Sequence, residues 1–133
     1  MKICLMVNIS KLQDSYLRIK NYIVNTPILV SDDLNKQFNA SFFLKNEVDQ
    51  VTGSFKIRGA LSALSNLKDK NVKGVVAFSG NHAQGVSKAA QIFDMHSIIV
   101  MPEDAPQNKI DKTKANGAEV VLYKIGRAHV WTP

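Results

Sequence analysis

"GVVAFSGNHAQGVSKAAQIF", residues 74–93, runs five apolar or small residues straight into Ser-Gly-Asn-His and then into a helical pattern. The β-branched content of 74–78 favours a strand over a helix, and the stretch from 81 has helical spacing. The same alternation continues downstream. "SIIVMP" (97–102) precedes "PQNKIDKTKAN" (106–116), and "AEVVLY" (118–123) follows Gly117. Strands that lack polar alternation are expected where helices cover both faces of a parallel sheet. The spacing therefore predicts a βαβαβ unit of α/β class, a three-layer parallel sheet with helices on both faces.

At the junction in the quoted stretch, a strand end meets a glycine and a helix start. Ligands of open parallel sheets bind at the carboxyl ends of strands, and a helix start with free N–H groups attracts anions. Ser79, Gly80, Asn81 and His82 are thus candidates to hold a carboxylate or a phosphate. A plain helix cap, with Ser79 or Asn81 satisfying orphan amides and His82 on the surface, is the alternative. The spaced glycines of a dinucleotide fingerprint and the Gly-Lys-Ser/Thr of a P-loop are absent.

Upstream the chain is less regular. A helix is predicted over 10–22, strands over 27–30 and 41–46, and a helix over 54–67 with Phe55, Ala60, Leu61, Leu64 and Leu67 forming its buried stripe. A polar connector, "KDKNVKG" (68–74), marks a crossing between two subdomains.

The helix opened by "TGSFKIRGA" (52–60) carries two cations, Lys56 and Arg58, in its first turn, where the helix dipole disfavours them by a few tenths to about 1 kcal/mol. An uncharged lysine is a nucleophile, and a helix N-terminus, partial burial and a neighbouring arginine all favour the uncharged form. What makes Lys56 costly as structure makes it useful for forming an imine; an exposed lysine without a role is the other reading.

Composition sets the outer limits. A chain of 133 residues, 45% hydrophobic, can bury one core or parts of two, as a soluble globular protein does. Cys4 is the only cysteine, which excludes an internal disulfide and leaves the cytoplasm as the default compartment. The apolar run at 3–7 is too short for a signal-peptide core or a membrane span, so no membrane partner is expected. Although the net charge is +6, the lysines are scattered, and no nucleic-acid partner is expected either.

Taken together, Gln50, Thr52-Gly53-Ser54-Phe55-Lys56, Arg58-Gly59-Ala60 and Ser79-Gly80-Asn81-His82-Ala83-Gln84-Gly85 resemble the fold-type II pyridoxal phosphate enzymes, the tryptophan synthase β-like class. Within that class they resemble the threonine/serine ammonia-lyase and serine racemase group. Thr26-Pro27 with Ser31 and Leu34, "IIVMPEDAP" (98–106) and "NGAEVVLY" (116–123) resemble further segments of the family, so the resemblance runs from about 15 to 123. It implies that Lys56 carries pyridoxal 5′-phosphate covalently and acts as an acid/base, that Phe55 packs near the ring, and that Asn81 bonds the cofactor's 3′-oxygen. It further implies that Ser79, Gly80, Asn81 and His82 receive the carboxylate of an amino-acid substrate. The implied reaction is β-elimination from L-threonine or L-serine to a 2-oxo acid and ammonia, with serine racemase or hydroxyaspartate ammonia-lyase activity as alternatives. A non-catalytic small-molecule binding module is the alternative of another class; it would have no need of the imine-forming lysine.

Where the family has Ser-Ser or Ser-Ala before Gly-Asn-His, this chain has Phe78-Ser79, and a serine here serves the opposite face of the substrate in the racemases. The family's phosphate-cradling loop and the residue facing the pyridine nitrogen have no match in the sequence. No metal ligands are expected within the chain. The resemblance accordingly implies a fragment, with 1–69 the first part of the large cofactor domain and 70–124 most of the small domain. A homo-oligomer is expected at full length, and the fragment alone is expected to be inactive. "IGRAHVWTP" (125–133) resembles one reading frame of a sequencing-library adapter and is expected to be an artefactual tail.

Overall fold

A computed structural model describes residues 8–78 and 80–124; Ser79 and the adapter-like 125–133 lie outside the described residues. Helix α1 (Ile9–Ile19) starts at Asn8, whose side chain accepts the Ser10 N–H, and runs into a 3-10 turn at Lys20–Tyr22. Strand β1 (Ile28–Val30) pairs antiparallel with β2 (Phe43–Lys45), Leu29 facing Leu44. Between them the sequence reading has no element, yet α2 (Asp32–Phe38) forms there. Its start is a side-chain cap: the Ser31 hydroxyl accepts the Leu34 N–H at 3.3 Å, with Asp32 and Asp33 in the first turn. Seven residues are too few for an apolar stripe to stand out, so the cap was its only local signal.

Helix α3 (Lys56–Asp69) begins two residues later than predicted. Ile57, Ala60, Leu61 and Leu64 form its buried face, whereas Phe55, expected on that stripe, is 59% exposed just ahead of the first turn. Arg18 of α1 pairs with Asp69 at the other end of α3.

The second half forms β3 (Gly74–Phe78), α4 (Asn81–Ile92), β4 (His96–Pro102), α5 (Gln107–Ala115) and β5 (Glu119–Tyr123), an α/β unit with the parallel strand order β3-β4-β5. Side chains of β4 alternate: Ser97, Ile99 and Met101 are buried, and the residues between them are less so. Ala77 is buried on the face of Ile99, against which α4 packs. On the opposite face Val76, Phe78 and Val121 are exposed, so among the described residues one face of the sheet is covered and the other is open.

Helix α4 is the centre of the molecule. Its Ala83, Val86, Ala89 and Ala90 are buried, and their small side chains let α3 approach on one side while the sheet packs on another. Ile57, Leu61, Ile99 and Met101 fill the space between, at roughly 1.5–3 kcal/mol of burial each.

Candidate active site

Lys56 is the first residue of α3, and the loop from Val51 to Phe55 leads into it. Gly53 turns this loop at φ 69°, a left-handed conformation open to glycine at little cost, and its N–H bonds the Gln50 carbonyl at 2.7 Å. The Lys56 amine lies 5.0 Å from the centroid of the Phe55 ring, and both side chains are exposed. The partial burial expected of Lys56 is therefore not observed.

Facing it is the start of α4. Gly80 occupies the cap position at φ 98° and ψ −165°, a region reserved almost wholly for glycine, with no side-chain cap hydrogen bond. Asn81 is thus the first helical residue and not the cap, and the alternative cap at Ser79 lies outside the described residues. Because the first intrahelical bond runs from the Gln84 N–H to the Gly80 carbonyl, at 3.3 Å, the amides of Asn81, His82 and Ala83 precede the helical ladder. Asn81 and His82 are exposed. Such a turn can receive an anion.

What brings the two loops together is Gly85. A Cβ there would lie 3.2 Å from the carbonyl carbon and oxygen of Lys56 and 3.3 Å from the Ile57 nitrogen, so the two helix backbones touch. Asn81 is one turn earlier on α4, on the same side and about 6 Å along the axis. The backbone of Lys56 and the Gly80–Asn81 turn accordingly lie within one helical turn of the same α3–α4 contact.

Arg58 has a different role from the one expected. Its Nε donates to Glu47 Oε2 at 2.8 Å and its Nη2 to Glu47 Oε1 at 2.7 Å, a two-pronged pair that compensates its charge. Hydrogen bonds from Arg58, opposed in part by burial and aided by Thr26, hold the Glu47 carboxyl at about 2, and the same pair raises Arg58. Thr26 Oγ1 donates to Glu47 Oε1 at 2.6 Å, and Lys45 Nζ donates to the Thr26 carbonyl at 2.6 Å. Glu47 lies eleven residues before Arg58, in a 3-10 turn (Glu47–Asp49) that has no periodic signature, so nothing local pointed to it.

On the loop into Lys56, the hydroxyl oxygens of Thr52 and Ser54 are buried with no hydrogen-bond partner among the described residues. Unspent hydroxyls beside a reachable amine and an exposed aromatic ring fit a polar aromatic aldehyde. Behind the loop, a cavity of about 420 Å³ is bordered by Thr52, Gln84, Lys88, Lys112 and Asn116.

Residues 19–130 match the family described as "Pyridoxal-phosphate dependent enzyme". The chain is 46% identical over 112 residues to the L-threo-3-hydroxyaspartate ammonia-lyase of Saccharomyces cerevisiae, covering 83% of this chain and 34% of that one. With the L-threonine ammonia-lyase of Thermotoga maritima it shares 44% identity over 119 residues, 88% of this chain and 30% of the relative. The crystal structure of the serine racemase from Dictyostelium discoideum superposes with a TM-score of 0.83 at 35% identity, over 91% of this chain and 40% of that one. The chain spans about a third of the length of these curated relatives.

Proposed function

The chain belongs to the pyridoxal-phosphate dependent enzyme family, and on that premise we propose that it carries the lysine and the carboxylate-binding turn of an ammonia-lyase acting on L-threonine or L-serine. The observation that supports this most is the contact of Gly85 with the backbone of Lys56, which joins the helix carrying the lysine to the helix that starts at Asn81. Pyridoxal phosphate, when bound, supplies the electron sink for loss of the substrate's α-proton.

The protein's own part is attachment, orientation and proton transfer. Lys56 would hold the cofactor through its Nζ, and the same nitrogen would serve as the base that takes the proton from the substrate Cα. Phe55 and Asn81, both exposed, would contact the cofactor, Phe55 through its ring and Asn81 as a hydrogen-bonding partner. The amides at the start of α4, with the side chains of Ser79 and His82, hold the substrate carboxylate and thereby fix which Cα bond faces Lys56. Loss of the β-hydroxyl and hydrolysis then give a 2-oxo acid and ammonia. Hydroxyaspartate as substrate is the second reading, favoured by the yeast relative at 46% identity.

Two measurements test the proposal. Titrating the chain with pyridoxal phosphate should produce the visible absorption of a lysine-bound cofactor, and Lys56→Ala should abolish it. No turnover is expected from this chain alone. With the uninterrupted gene product, assays for 2-oxobutyrate, pyruvate, oxaloacetate and D-serine separate the substrates. An absorption that survives Lys56→Ala would sink the assignment of the lysine.

A further inference from the structure

The loop that delivers Lys56 is gripped at both ends by one polar cluster. At its leading end Gln50, 4% exposed, accepts the Val24 N–H at 2.8 Å and donates to the Val24 carbonyl at 2.9 Å. Past its trailing end, Arg58 Nη2 donates to that same Val24 carbonyl at 3.3 Å while its guanidinium pairs with Glu47. The ring closes through the backbone, since the Gln50 N–H bonds the Glu47 carbonyl at 3.4 Å. Residues 51–57 therefore leave the cluster and return to it, with Lys56 two positions before the return.

We propose that Glu47, Gln50 and Arg58 form a positioning clamp that fixes the 51–57 loop and so sets the direction in which the Lys56 amine projects. The proposal rests on the reading of Lys56 as the cofactor lysine. Helix α3 does not need the clamp for its hold on the molecule: Ile57, Leu61 and Leu64 bury its apolar face against α4. Nor is a largely buried ion pair an efficient source of stability, because desolvation offsets most of its attraction and apolar side chains of similar size often do as well. What the two-pronged pair supplies, and packing does not, is a fixed angle. The geometry is specific to arginine, since a lysine at 58 would meet Glu47 as a single point of charge.

The test uses the 133-residue chain. Pyridoxal phosphate is added, trapped with borohydride, and the share of label at Lys56 relative to the other lysines is read by peptide mass mapping for wild type, Glu47→Gln, Arg58→Gln and Arg58→Lys. In parallel, hydrogen exchange is followed at the amides of Gly53 and Arg58, with β4 amides as the internal control. The clamp predicts that Glu47→Gln and Arg58→Gln lower the Lys56 share about five-fold or more and speed exchange at both loop amides about ten-fold, with β4 unchanged. Arg58→Lys should fall between them and wild type.

Selective labelling of Lys56 that persists in both glutamine variants would overturn the clamp and leave the proposed function standing. Wild type labelled without preference for Lys56 would instead overturn the function. The exchange rates then decide the clamp by themselves: faster loop amides in the variants support it, and unchanged rates refute it. If β4 exchange rises along with the loop, the pair is a general stabiliser and the positioning role is refuted.

Discussion

A cation in the first turn of a helix is uncomfortable, and α3 has two that resolve the discomfort differently. Arg58 is matched by Glu47 across a pair that is only partly reached by water, whereas Lys56 projects beside Phe55. The match makes stability depend on acid. The folded Glu47 carboxyl sits near 2 and the unfolded one near 4.5, so the folded state binds fewer protons between those values. The contribution of the pair is complete above about pH 4.5 and is lost as pH falls towards 2. Chemical denaturation should show wild type losing roughly 1–3 kcal/mol more than Glu47→Gln across that interval. Equal slopes for the two proteins would mean the pair is not formed in solution. None of this was legible in the sequence, where Arg58 looked like a charge acting on its neighbour lysine; its partner is joined to it by tertiary folding alone.

At the scale of elements, the contact between α3 and α4 joins the two candidate loops. Placing valine at 85 would push branched carbon atoms into the Lys56 carbonyl and the Ile57 nitrogen, which are backbone and cannot rotate away. Gly85→Val should cost about 1–3 kcal/mol despite valine's better helix propensity, and the Lys56 labelling share should fall with it. A denaturation midpoint at or above that of wild type would contradict the packing described. The elements of this half were readable in advance: β3, α4, β4, α5 and β5 each lie within a residue or two of their expected bounds, because apolar runs and helical spacing alternate cleanly from 74 onward. Asn81 and Lys56 were legible as candidate site residues through their motifs. The backbone contact between their helices was not, since it depends on Gly85, one turn past Asn81 on α4 and remote from Lys56 in sequence. Phe55 misled for a related reason: it keeps the spacing of the buried stripe but lies outside the helix that would have turned it inward.

On the scale of the whole molecule, the open face of the parallel sheet is the conspicuous feature. Phe78, Val100 and Val121 stand in register on it, with Val76 beside them, and Phe78 is 70% exposed. Strands apolar on both faces are suited to cover on both, so the chain should self-associate or bind hydrophobic dye through this face. Replacing Val76 and Phe78 together with threonine should reduce the self-association seen by sedimentation, and leave the melting temperature within a few degrees. No helix among the described residues is long and apolar enough to cross a membrane. The sheet order also has a kinetic side. Each pair of neighbouring strands is parallel and joined through a whole helix, so the unit from Gly74 to Tyr123 must close two long crossovers before its strands can pair. Lys56 emerges earlier from the ribosome than the α4 surface that its backbone touches, and a nascent chain would therefore lack that contact until the later half has taken shape.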